Sequence, residues 1–150
     1  MAENKHIDFI HVDRFEPRTI LYWISRLGAS NIIHGFLKKP DSITTEELVD
    51  ELKKRFGKEN RELIIYIRRI YNNPDFEDGT YQFIIADVTN IPEHKKDGIK
   101  LMLALFNLEK IAQSYPDPEI RRIIGESHEI IKQWIEKYFV NLLGSLFSIK

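Results

Sequence analysis

The apolar positions of this 150-residue chain repeat mostly with helical spacing. Between about Pro17 and Lys38, Ile20, Trp23, Ile24 and Leu27 fall at i, i+3, i+4 and i+7, one face of a helix. Ile33, Phe36 and Leu37 continue a stripe after "GASN", where Gly28 and Asn31 weaken the helix and predict a bend or break. Pro17 suits a first helical position, and Pro40 closes the segment because the residue before a proline avoids the α region. "SITTEELVDELKKRFG" predicts a second helix. Thr44 and Glu47 stand at capping-box spacing, and Leu48, Val49, Leu52 and Phe56 form its apolar face. Gly57 is expected to end it in the left-handed region. A third helix is expected from about Glu59 to Tyr71, lined by Leu63, Ile64, Ile67 and Ile70 and stopped by Asn72, Asn73 and Pro74.

Helical spacing fails between Asn72 and Gly98. "EDGT" is a turn signal, and "TYQFIIADV" is rich in β-formers. On a strand, Tyr81, Phe83 and Ile85 face one side and Gln82, Ile84 and Ala86 the other. Its partner could be Val88 to Ile91 or the N-terminal "HIDFIHV". A two-stranded ribbon is marginal alone, so residues 79–91 read as a small β insertion laid on helices. "PEHKKDG" reads as its exposed loop.

Two more helices complete the pattern. Ile99 to about Tyr115 carries Met102, Leu103, Phe106 and Ile111, and Leu101, Leu105 and Leu108 make it apolar around much of its circumference, hence central. Asp117 can cap, and Pro118 can open, a last helix from Glu119 to about Leu143. Its stripe of Ile120, Ile123, Ile124, Ser127, Ile131, Trp134, Tyr138 and Leu142 predicts the spine of the fold, with Trp134 buried. The tail "VNLLGSLFSIK" either folds back on the core or sits on a partner protein. The expected fold is therefore mainly α: one helical-bundle domain over residues 1–150, about five helices, and the β insertion.

Composition narrows the function classes. With 43% hydrophobic and 30% charged residues the balance is globular, and no apolar run approaches the roughly 18 residues of a membrane span. The polar start "MAENKHIDF" lacks an apolar signal core, so a cytoplasmic protein is expected. Without cysteine there is no disulfide framework and no thiolate metal site. His6, His11, His34, His94 and His128 do not cluster, "DFEDGT" lacks the remaining ligands of a calcium loop, and no phosphate loop or G-x-S-x-G is present. No cofactor and no small-molecule substrate is expected. Abundant Ile, Lys and Glu with scarce Gln fit heat adaptation and an AT-rich genome alike.

The net charge is −1, so nucleic-acid binding would need local basic patches. "KKRFGKENR" supplies Lys53, Lys54, Arg55, Lys58 and Arg61, "YIRRIY" supplies Arg68 and Arg69, and "EHKKDGIK" supplies Lys95, Lys96 and Lys100. On the expected helix, Arg61 and Arg68 are seven apart and share a face. Lys54, Lys58, Arg61, Arg68, Lys95, Lys96 and Lys100 form the candidate set for contacts to nucleic acid or a partner. The interleaved Glu46, Glu47, Asp50, Glu51, Glu59 and Glu62 equally describe a solvated helix face. "RRIIGESH" places Arg122 and His128 with five residues between them, a spacing found in helical RNases of the HEPN class. There His would act as general base on a ribose hydroxyl and Arg would stabilise the phosphorane charge. Six helical steps leave these two about 120° apart, so they converge only through distortion or a dimer.

The N-terminal segment "RTILYWISRLGASNIIHGFL", the charged middle helices, the β insertion and the long C-terminal helix together resemble the small subunit of the archaeal type I-A CRISPR interference complex, the Cascade effector. The resemblance implies a non-catalytic helical subunit of an antiviral assembly, packed with other effector subunits around guide RNA and target DNA. In such an assembly base pairing reads the sequence and protein supports backbone and shape. No motif of that family fixes contacts, so the basic residues above stand on charge alone. The alternatives are a HEPN-like metal-independent RNase using Arg122 and His128, and a helical protein–protein adaptor.

Overall fold

The computed structural model describes residues 6–14 and 19–147, with side-chain surroundings described over 6–12, 20–133 and 137. Among these residues the fold is mixed α/β, with four helices and one four-stranded antiparallel sheet, and not the expected helical bundle. The order is β1 (Asp8–Arg14), α1 (Thr19–Arg26), β2 (Ser30–Lys38), α2 (Thr45–Phe56), β3 (Leu63–Arg69), β4 (Thr80–Asp87), α3 (Glu93–Ser114) and α4 (Pro118–Phe147). By internal contacts the chain divides into two compact units, Met1–Leu103 and Ala104–Lys150, so α3 runs from one into the other.

The first unit holds the sheet, in strand order β1-β2-β4-β3. β2 and β3 are each antiparallel to β4 and therefore parallel to each other, with α2 crossing between them. This is a split β-α-β arrangement, with β4 inserted between the two parallel strands. The strand expected as an isolated insertion is thus the centre of the sheet. It is buried on both faces from Gln82 to Val88. Its partners are neither of those expected: "HIDFIHV" does form β1, but β1 pairs with β2, and Val88 to Ile91 forms a turn.

Two expected helices give way to strands. The first breaks after Leu27, and Asn31 takes a left-handed φ of 45° at an irregularity where β2 begins. From there Ile33, Gly35 and Leu37 face one side of the sheet while His34 and Phe36 face the other. The segment expected as a third helix is β3. Its Ile64, Ile65, Tyr66 and Ile67 are stiff or bulky at Cβ and suit a pleated surface. In both segments a short apolar run also satisfied helical spacing, which periodicity alone cannot resolve.

One sheet face packs on α2. Ile33, Leu37, Phe83 and Ile85 cluster with Ile43, Leu48 and Leu52, and Phe9, Phe56, Leu63, Ile65 and Ile67 close around them. Phe9, Phe56 and Phe83 meet as a triad with centroids 5.8–5.9 Å apart. Gly35 makes room for it: a Cβ there would lie 2.4 Å from the His11 carbonyl oxygen and 3.0 Å from the Phe83 ring. α2 starts as expected. The Thr44 side chain accepts from the Glu47 amide, and the Glu47 carboxylate accepts from the Thr44 amide, both at 3.1 Å. Gly57 ends it, but in extended backbone at φ −82°; what requires glycine is the Lys53 carbonyl, 2.4 Å from where a Cβ would stand.

In the second unit Asp117 caps α4 as expected, its Oδ1 accepting from the Glu119 amide at 2.9 Å. The last turns of α3 meet α4 where Gly125 faces Ala112, whose Cβ lies 3.9 Å from the position of a Cβ on residue 125. α4 is not the buried spine expected. Ile120, Ile123 and Ile131 are exposed and Ile124 is half-buried. Every fully buried apolar residue among those described lies at or before Leu103. The expected burial of Trp134, Tyr138 and Leu142, the packing of the tail from Val140, and Pro17 lie outside the described residues.

Candidate anion-binding face of the sheet

The sheet face turned away from the α2 cluster carries polar and aromatic side chains in register. His11, Phe36, Gln82 and Arg68 are direct partners across all four strands, and His34, Ile84 and Tyr66 make the adjacent row. Gln82 is buried, while His34, Phe36, Tyr66 and Arg68 are half-buried. Arg68 donates from Nε to Gln82 Oε1 at 2.7 Å, and Gln82 Nε2 lies 2.9 Å from His34 Nε2. With its oxygen turned to Arg68, Gln82 presents its NH2 to His34. In that orientation His34 Nε2 is the acceptor. The Phe36 ring meets the His34 ring edge-on at 5.3 Å and leans on Phe76, from the β3–β4 connection, at 4.7 Å.

Arg68 stands apart electrostatically. Burial lowers its pKa from the ordinary arginine value, with Tyr66 acting in the opposite direction, and burial pushes the Tyr66 hydroxyl up. No carboxylate pairs with Arg68 among the described residues; its hydrogen bond goes to a neutral amide. Other cations near the sheet have carboxylate partners: Arg61 with Asp87 at 2.7 Å, Arg69 with Asp78 at 2.7 Å, and Lys38 with Glu77. A half-buried cation without a counter-ion is costly unless an anion reaches it.

The remaining expected contact residues are not brought together. Lys54 and Lys58 are exposed, in and just after the last turn of α2, and Lys100 is exposed on α3. Lys95 and Lys96 lie in the first turns of α3, not in an exposed loop. Lys96 is 9% exposed and donates to Glu62 at 2.8 Å and Glu93 at 3.1 Å. Arg61 and Arg68 do not share a helix face: Arg61 precedes β3, and Arg68 is on it. Arg61 instead serves a buried corner. There Asp87 also accepts from the Thr89 amide at 3.0 Å and the Thr89 hydroxyl at 2.6 Å. Burial pushes the Asp87 carboxyl up, but these donors outweigh it and hold the pKa below the ordinary value.

On α4, Arg122 is engaged by Glu119 at 2.6 Å and Glu126 at 2.8 Å, with its side chain 55% exposed, whereas the His128 side chain is 12% exposed. The two do not converge within the chain. Among the described residues no group of three His, Cys, Asp or Glu could hold a metal ion, and no helix is long and apolar enough to cross a membrane. His34, Phe36, Tyr66 and Gln82 were absent from the expected site. Their signal is the alternation His34-x-Phe36 and Tyr66-x-Arg68, visible only once these segments are read as strands. No family model, curated protein or solved structure matches the chain.

Proposed function

We propose that this protein is a non-catalytic binding module that takes a phosphate of a nucleic-acid backbone on the sheet face at Arg68. The observation that carries this reading is the half-buried Arg68 guanidinium, which has no carboxylate partner among the described residues, is backed by the Gln82 amide, and shares its sheet face with Tyr66 and Phe36. Arginine binds phosphate through a planar fork of donors, and aromatic rings accept bases by stacking. Membership of an RNA-guided antiviral effector, beside other CRISPR subunits, guide RNA and target DNA, is one setting for such a module. The helical layout that suggested it has given way to a sheet, so that assignment now rests on the phosphate-binding reading and on the exposed Lys54, Lys58 and Lys100. The RNase reading is less favoured, because Arg122 is engaged by two glutamates on the exposed side of α4.

The test is fluorescence anisotropy of the full chain with labelled single-stranded RNA and DNA oligonucleotides across a salt series. Affinity should fall as salt rises, and Arg68→Gln should weaken it about tenfold, the loss of roughly one charge-assisted contact. Absence of binding at low salt, or an unchanged affinity in a folded Arg68→Gln protein, would overturn the reading. RNA cleavage lost in His128→Ala would instead favour the RNase.

A further inference from the structure

α4 carries an apolar stripe that is exposed among the described residues. At 3.6 residues per turn, Ile120, Ile123, Ser127, Ile130 and Ile131 fall within about 100° of arc, an unbroken apolar stripe but for one serine. That stripe faces solvent: Ile123 is 49% exposed and Ile130 60%. The adjoining quarter of the helix, with Arg121, Ile124, Gly125 and His128, is the half-buried one. It encloses Arg121 Nε and His128 Nε2, which have no hydrogen-bond partner among the described residues. A helix that leaves an isoleucine stripe in solvent beside its half-buried quarter has apolar surface for a second contact.

We infer that the exposed stripe of α4 is a dimer interface, on which a second copy of this chain lays its own α4. The spacing fits that occupant. Ile120, Ile123, Ser127 and Ile130 follow one another at 3, 4 and 3 residues, the seam of a helix that pairs with another helix. The charge fits it too. α4 carries four acidic residues (Glu119, Glu126, Glu129, Glu136) and four basic ones (Arg121, Arg122, Lys132, Lys137), so a copy meets no net repulsion. Arg122 holds Glu119 and Glu126 on its own helix, so the flank of the seam presents satisfied ion pairs. A nucleic acid would find no net positive charge here. At 30 residues the helix is about 45 Å long, enough for two copies to cross about a two-fold axis.

The test is the oligomeric state of the full chain by sedimentation velocity over a dilution series. The wild type should sediment with twice the chain mass at tens of micromolar. Ile123→Glu with Ile130→Glu should sediment at the single-chain mass with an unchanged helical circular dichroism spectrum. Because both side chains are exposed, the monomer loses no packing. A control, Ile10→Glu with Val12→Glu on the exposed edge strand β1, should remain dimeric. A monomeric wild type overturns the inference. So does a stripe variant that stays dimeric, or a control that alone dissociates. Arg68→Gln should dimerise normally, which separates this interface from the phosphate-binding face.

Discussion

The two units of this chain use apolar residues in opposite ways. In the first, Phe83, Leu37, Leu48 and Leu52 are fully buried between sheet and α2, and β4 is covered on both faces. In the second, no described residue is fully buried, and four isoleucines of α4 face solvent. Both segments carry apolar stripes of helical period. A stripe stabilises only when another surface covers it, and coverage belongs to the fold and the assembly, not to the stripe.

That contrast yields graded expectations. The largest effect should come from Phe83→Ala, which empties the centre of the phenylalanine triad and should cost about 3–5 kcal/mol. Urea unfolding measures it, and a loss near zero would remove the α2–sheet core from the description. Next comes Lys96→Glu. It sets a third carboxylate against Glu62 and Glu93 and should lower Tm clearly, whereas Lys95→Glu should leave Tm nearly unchanged. Equal effects would return both lysines to one exposed loop.

The Asp87 corner predicts a pH dependence. Its folded pKa is depressed, so its contribution is present above the ordinary Asp value of about 3.9 and is lost as pH falls through the folded value. Wild-type stability should therefore decline on acidification below about pH 4. Asp87→Asn should be less stable at neutral pH and show a flatter decline there. Parallel curves would mean that the Arg61 and Thr89 contacts do not favour the carboxylate.

Thr44→Ala removes the capping box of α2 and should cost about 1 kcal/mol, read from the same urea curves. Smallest of all, Ile123→Ala in protein diluted to monomer should move stability by about 0.5 kcal/mol or less. A loss comparable to Phe83→Ala would show the stripe already covered within one chain and erase the contrast between the units.

The sequence alone determined what local chemistry decides. The Thr44–Glu47 box placed the start of α2, Asp117 and Pro118 placed the start of α4, and the β-formers between Thr80 and Asp87 placed β4. Each of these signals lies within a few residues of its effect. It could not separate β2 and β3 from helices, because Ile33, Phe36 and Leu37, or Leu63, Ile67 and Ile70, satisfy helical spacing as well as strand burial. What settles such a segment is a partner distant in sequence: Leu37 finds Tyr81, and Ile65 finds Ile85. The candidate site shared this fate. Arg68 was visible as a charge, but its lack of a carboxylate partner among the described residues, and its bond to Gln82, which in turn meets His34 from a third strand, exist only once the sheet forms. Lys96 shows the reverse: its charge was equally visible, and only tertiary structure showed it already engaged by Glu62 and Glu93, because charge can be read from a residue's identity while its partner cannot.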